Sequence, residues 1–324
     1  MSTLAAQPAK RFDVGGRRIW VAGHRGLAGS AIARRLQAAG AEVVTVGRAK
    51  LDLLDQAATK AFVAQARLDG TIAAAGKVGG IVANNSFPVD FLYENLVMQN
   101  NVIGAAHAAN VEHLVFLGST CIYPREAPQP MREDSLLTGP LEPTNEWYAI
   151  AKIAGIKLCQ AMRRQHGRDY FSAMPTNLYG PHDNYHPQYS HMIPALIRRI
   201  HEAKLSGQKQ VTLWGTGKPR REILHSDDCA DAILFLLERY SGEDIVNIGR
   251  GEDHTIDEIA QAVADVVGWE GQFEHDLSKP DGTPRKLVAV ERLFAMGWRP
   301  KYGLHEGLAN AYEWFRQHYA EARL

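Results

Sequence analysis

Tyr148 and Lys152 stand four apart in Tyr148-Ala149-Ile150-Ala151-Lys152, a spacing that puts both side chains on one face of a helix. An ammonium beside a phenol favours the phenolate and draws the tyrosine pKa toward neutrality. A phenol tuned in that way exchanges a proton with a carbonyl or alcohol oxygen near pH 7. Ser119 precedes the pair in Gly118-Ser119-Thr120-Cys121, directly after the apolar run His113-Leu114-Val115-Phe116-Leu117. A serine hydroxyl at the end of a strand can hold the same oxygen. The three groups together are equipment for reducing a ketone with a nicotinamide hydride. An exposed i, i+4 pair would explain Tyr148 and Lys152 alone, but it leaves the serine unexplained.

Positioning these groups takes alternating strands and helices. The pattern predicts a strand over 17–23, a helix over 26–40 with Ile32 and Leu36 turned inward, a strand over 42–46 and a helix over 55–67. A weak strand over 71–75, a long helix over 85–110 and a buried strand over 113–118 follow. The helix over 146–166 carries Tyr148 and Lys152, and a strand over 170–176 comes after it. Such alternation implies an α/β fold, a Rossmann-type doubly wound parallel sheet covered on both faces.

Beyond Asn177 the pattern changes to a Pro-, His-, Asn- and Tyr-rich loop over 179–190, a helix over 193–203 and mixed elements closing in a helix over 304–320. The expected organisation is a flexible tail over 1–16, a Rossmann domain over 17–180 and a smaller mixed substrate domain over 181–324. Elements near 211–250 partly return to the first domain. The smaller domain should lie over the strand ends, where open sheets bind ligands.

Composition narrows the class. Lys and Arg number 36 and so do Asp and Glu, so bulk charge offers nothing to nucleic acid or to a membrane surface. No apolar run approaches the ~18 residues of a membrane-spanning helix. Cys121, Cys159 and Cys229 show no CxxC spacing, and no apolar leader opens the chain, which fits a reducing cytoplasm. His182, Asp183, His186 and His191 fit no standard zinc spacing, so no metal is expected.

The turn Gly23-His24-Arg25-Gly26-Leu27-Ala28-Gly29 joins the first strand to the first helix. Its G-x-x-G-x-x-G spacing lets backbone approach a pyrophosphate at a helix N-terminus. An acid at the end of the second strand would hold a ribose 2′-hydroxyl, but that end reads Thr45-Val46-Gly47-Arg48. Arg48 and Arg25 can instead grip a 2′-phosphate, so NADP(H) is expected over NAD(H). Asp52 can reach the adenine amine or cap the next helix.

These residues resemble the extended short-chain dehydrogenase/reductases that act on nucleotide sugars, and the similarity runs over nearly the whole chain from Arg17. Beyond the glycine turn and the Tyr148/Lys152 pair, the matching stretches include Lys77-Val78-Gly79-Gly80-Ile81, Gly118 to Pro124, Glu142-Pro143-Thr144-Asn145-Glu146, Pro175 to Asn184 and Ser278 to Lys286. Gly76, where an alanine is usual, and Thr120, where a serine is usual, depart from the pattern without removing a reacting group.

The resemblance implies a homodimer packed through long helices and a GDP-4-keto-6-deoxy-D-mannose substrate, epimerised at C3 and C5 and then reduced at C4 by NADPH. It also implies cofactor contacts from Leu117, Gly118, Ser119, Tyr148, Lys152, Pro175, Thr176, Asn177, Leu178 and His191. Epimerisation needs an acid and a base on opposite faces of the ring. By resemblance Cys121 is the base and His191 the acid; the residues themselves establish only that both groups suit the task. A small core residue is the commoner fate of a cysteine after a buried strand.

A nucleoside diphosphate needs cations and an aromatic plane. Trp214-Gly215-Thr216-Gly217-Lys218-Pro219-Arg220-Arg221 offers both, and arginine binds phosphate oxygens in fork geometry. By resemblance Arg199, Trp214, Arg221 and Asp281 line the substrate site with Lys286 nearby, and Asn177 can hold the diphosphate or the cofactor amide.

Overall fold

The computed structural model describes residues 8–279 and 281–321. Its first part runs β1 (Arg18–Ala22), α1 (Leu27–Ala38), β2 (Glu42–Val44), α2 (Gln56–Ala66), β3 (Gly70–Ala73), α3 (Ile81–Ser86), α4 (Pro88–Ala108), β4 (His113–Leu117), α5 (Glu146–His166) and β5 (Asp169–Pro175). The remainder runs β6 (Asn177–Tyr179), α6 (Met192–Ser206), β7 (Gln210–Trp214), β8 (Arg220–Arg221), β9 (Ile223–His225), α7 (Ser226–Arg239), β10 (Val246–Ile248), β11 (His254–Thr255), α8 (Ile256–Val267), β12 (Gln272–Asp276), β13 (Arg285–Lys286), α9 (Glu291–Ala295) and α10 (Leu304–Gln317).

Six strands pair in parallel in the order β2-β1-β3-β4-β5-β10. Successive residues of a strand point to opposite faces, and the two cores divide accordingly. Ile19, Val21, Ile72, Val115, Leu117, Phe171 and Ala173 pack with α1 and α7 on one side. Trp20, Ala22, Ala73, Leu114, Phe116, Tyr170 and Met174 pack with α2, α4 and α5 on the other. This is the expected doubly wound parallel sheet. The chain leaves β1 for β2 on one side and returns to β3 on the other, opening a crevice at the carboxyl ends of β1 and β3. A third core, built from α6, α8, α10 and β7, holds the outer part of the molecule.

Several expectations need correction. The helix expected over 85–110 is two helices, α3 and α4, separated at Phe87. Pro88 has no N–H to continue a helix and pushes the residue before it out of helical geometry, while fitting well as the first residue of α4. The tail expected to be loose over 1–16 is anchored from Lys10. Phe12 and Val14 are buried, and the backbone N–H groups of Arg11 and Phe12 donate to the Glu238 carbonyl at 2.7 and 3.2 Å. Burying each apolar side chain contributes about 1.5–3 kcal/mol. Residues 1–7 lie outside the described residues.

Within 211–250, β10 pairs with β5 and α7 packs on the sheet, while β7 pairs with β12 in the outer part. The helix α8 was not anticipated, although Thr255 and Glu258 form a capping box at its start.

Candidate active site

The carboxyl end of β4 releases Ser119 into a tight turn, Thr120–Ile122. The Ser119 hydroxyl donates to the Cys121 sulfur at 3.3 Å and accepts from the Cys121 N–H at 3.4 Å. Helix α5 brings Tyr148 and Lys152 alongside. Lys152 is buried, its ammonium donates to the Leu117 carbonyl at 2.9 Å, and Nζ lies 5.6 Å from the centre of the Tyr148 ring. The structure brings Ser119, Cys121, Tyr148 and Lys152 together at this strand end.

The electrostatics depart from the expectation for Tyr148. Burial pushes its phenol up from the ordinary tyrosine range, and the Cys121 charge adds to that, while a hydrogen bond with Ser119 pulls it back. Burial also pushes Lys152 down to about 8, opposed by Cys121. A lysine that is itself desolvated and tied to Leu117 does not outweigh the loss of water around the phenol. Tyr148 stands as a neutral phenol, which is the form that gives up a proton.

His191 is the residue immediately before α6. The residue is exposed, yet surrounding protein desolvates its imidazole, and that desolvation, with the charge of Lys286, holds it below the usual histidine pKa. Lys286 also lines the cleft floored by Thr120 and Cys121. The chain arrives at His191 over Lys77-Val78-Gly79-Gly80. The Gly80 N–H donates to the Tyr189 carbonyl at 3.1 Å, and a Cβ on Gly80 would meet the Ser190 carbonyl oxygen at 2.7 Å. Lys77 is locked to Asp90 and Glu94 of α4 at 2.6 and 2.8 Å.

The glycine turn fits a dinucleotide. Gly23 has φ of +91°, and a Cβ on Gly29 would lie 2.2 Å from the Gly23 carbonyl oxygen, so turn and helix meet only without side chains. Gly26 is different: its Cβ position meets nothing nearer than 3.6 Å, so no protein atom demands glycine there. No side chain caps α1 and no acid occupies its first turn, which suits an approaching phosphate. His24, Leu27 and Ala28 complete the turn, with burial and Arg25 lowering the His24 pKa.

The Arg25 guanidinium lies against Gly47, 3.0 Å from where a Cβ would stand, and Arg48 extends from the next position. Arg25 thus lies against the residue next to Arg48, in the segment that follows β2, and two such cations suit a 2′-phosphate. Asp52 accepts from the Leu54 N–H at 3.1 Å and faces Arg48 at 3.8 Å. The capping role considered for it belongs to Asp55, which accepts from Ala58 at 2.9 Å. Gly118 packs on Met174, and Pro175, Thr176, Asn177 and Leu178 follow along the neighbouring strand end.

The outer wall is built from separate segments. Trp214 is 60% exposed, with the Lys279 ammonium 5.7 Å from its ring centre. Asp281 accepts from the Thr216 N–H and hydroxyl at 2.6 and 2.9 Å, so it fixes the loop that follows the tryptophan. Arg221 and Lys286 sit opposite each other on β8 and β13. Arg221 donates to the Thr283 carbonyl at 2.7 Å, and Arg199 donates to the Thr212 carbonyl. Burial lowers the pKa of both arginines, and among the described residues neither has a carboxylate within ion-pair distance. That arrangement suits an anion.

Glu222 was missed entirely. It is fully buried, and burial pushes its carboxyl up to about 7. It accepts from the N–H groups of Arg250, Gly251 and Val288 at 2.7, 2.8 and 2.9 Å, while its carbonyl takes Asn177 Nδ2 at 2.9 Å. It thereby ties the end of β5 to β10 and to the strap after β13. No sequence signal marks it, because every partner is distant along the chain.

Residues 19–249 match the model of the NAD dependent epimerase/dehydratase family. The chain is 57% identical over 299 residues to GDP-L-fucose synthase 1 of Arabidopsis thaliana, covering 92% of this chain and 93% of that one. It is 53% identical over 308 residues to GDP-L-fucose synthase of Escherichia coli (strain K12), covering 92% and 96%. A crystal structure of a GDP-L-fucose synthetase from Naegleria fowleri bound to NADP superposes with a TM-score of 0.88 at 28% identity, covering 100% of this chain and 99% of that one.

Proposed function

The chain belongs to the NAD dependent epimerase/dehydratase family, and from that premise we propose that it takes GDP-4-keto-6-deoxy-D-mannose, epimerises C3 and C5, and reduces the C4 ketone. Its activity is GDP-L-fucose synthesis and its cofactor is NADP(H). The observation that carries the assignment of groups is the meeting of a thiol, a hydroxyl and a neutral phenol at the end of β4.

C3 and C5 flank the C4 carbonyl, so their hydrogens are acidic. Cys121 removes such a proton, and the electron pair moves onto the C4 oxygen. Tyr148 and Ser119 hydrogen-bond that oxygen, which stabilises the enolate where its charge develops. His191 returns a proton from the other face, and a pKa below the usual histidine value makes it a ready donor once protonated. Gly23, Gly26 and Gly29 with Arg25 and Arg48 would hold NADPH, which when bound would supply a hydride for C4. Tyr148 gives its proton to the C4 oxygen. Arg199, Arg221 and Lys286 meet the diphosphate, and Trp214 offers a face to the base.

A homodimer is part of this reading. Val89 and Tyr93 on α4 are 72% and 63% exposed, and Trp147 and Ile150 on α5 are exposed beside them in sequence register i, i+3. A second copy covering this face would remove that apolar surface from water. Three free cysteines support a cytoplasmic location, and no helix among the described residues is long and apolar enough to cross a membrane.

The test is one reaction in deuterated water with GDP-4-keto-6-deoxy-D-mannose and NADPH, read by proton NMR. Deuterium at C3 and C5 of an L-fucose ring is the expected product. NADPH consumption without ring deuterium would reduce the protein to a plain 4-ketoreductase.

A further inference from the structure

We infer that Asn145 is a positioning residue for the Cys121 thiolate, holding the sulfur by its side-chain amide; this rests on the reading of Cys121 as the base. Asn145 occupies the position before α5 where an asparagine ordinarily accepts a hydrogen bond from the helix N–H groups. Here its side chain caps nothing. Instead Nδ2 donates to Cys121 Sγ at 3.5 Å. The amide oxygen is buried and has no partner among the described residues. A buried amide that neither caps its helix nor satisfies its own oxygen points to a role other than stability.

The backbone of Asn145 is firmly held. Its N–H donates to the Glu142 carbonyl at 3.1 Å, and its carbonyl takes the Ala149 N–H at 3.1 Å. Tyr148 lies three residues further along the same helix, so α5 registers the thiol holder against the phenol. With the Ser119 hydroxyl at 3.3 Å, the sulfur receives two donors, and hydrogen bonds to the charged form favour that form. The step served is a proton transfer: the C–H bond beside C4 breaks, its proton goes to sulfur, and its electron pair becomes the enolate. The titratable and charged groups facing Cys121 are Tyr148 and Lys152 from α5, with Arg125, Glu142, Arg285 and Lys286 across the cleft. Substituting Asn145 changes none of them.

Alkylation of the full-length protein by iodoacetamide, followed at the Cys121 peptide across pH, reads the thiolate without substrate. Cys159 and Cys229 are buried and stay silent. Asn145→Ser places a residue favoured at a helix start but too short to reach the sulfur, and it should slow alkylation at pH 7 on the order of tenfold. Asn145→Asp keeps the size and caps well, yet sets a carboxylate against the sulfur, so it should slow alkylation further with the melting temperature preserved. Deuterium exchange at C3 and C5 should slow in the same order, with its pH profile moved upward. An alkylation profile for Asn145→Ser that coincides with wild type, or moves to lower pH, overturns the assignment. Failure of the underlying reading looks different: Cys121→Ala would exchange ring protons at the wild-type rate.

Discussion

The inner end of the cleft and its outer wall are built in opposite ways. At the inner end, Ser119 and Cys121 share one turn, and Tyr148 and Lys152 share one helix. Burial is deep, and it moves the phenol and the ammonium in opposite directions from their ordinary values. At the outer wall, Arg199, Trp214, Arg221, Asp281 and Lys286 come from four separate stretches, held mainly by backbone carbonyls and paired short strands. On the proposed reading the inner end is the reaction centre, and the outer wall is a binding surface shaped by tertiary packing. Changes at the first should alter the chemical step, and changes at the second should alter substrate affinity.

The largest effect should come from Tyr148→Phe. Losing the proton donor should lower the rate of C4 reduction by about 10²–10⁴, measured as NADPH consumption under saturating substrate. At the outer wall, Arg221→Ala should raise KM by about tenfold to a hundredfold through loss of charge-assisted hydrogen bonds, with kcat much less affected. A fall in kcat equal to the rise in KM would erase the distinction between the two regions. Gly80→Ala joins them: a Cβ 2.7 Å from the Ser190 carbonyl should displace the segment leading to His191. Proton return at C3 and C5 should then fall several-fold, read by isotope incorporation and the configuration of the product.

The last effect concerns stability and its dependence on pH. Lys152 has a folded pKa of about 8 against 10.5 unfolded, so across that window the unfolded chain binds more protons. The unfolding free energy of the wild type, relative to Lys152→Met, should therefore rise as pH increases from about 8 toward 10.5, and be flat below it. Denaturant titration at several pH values checks the sign.

The same contrast explains what the sequence made legible. Strand ends, the glycine turn and the i, i+4 pair are local patterns, and the inner site is made of them. The Phe87–Pro88 break and the Thr255–Glu258 capping box were equally local, but a long apolar stretch and a mixed C-terminal composition masked them. Glu222 and Asn145 draw their meaning from partners in other segments, such as Val288 for the one and Cys121 for the other. The raised Tyr148 pKa was misjudged for a related reason. Spacing reveals the neighbouring lysine, but not the burial that outweighs it.

The central claim is that protons on the ring carbons and the proton given to the C4 oxygen are carried by different groups within one cleft. Tyr148→Phe incubated with GDP-4-keto-6-deoxy-D-mannose in deuterated water tests it directly. The account predicts deuterium entering C3 or C5 while the ketone survives. A ring that stays fully protonated would contradict it and make Tyr148 the shared acid and base for both reactions.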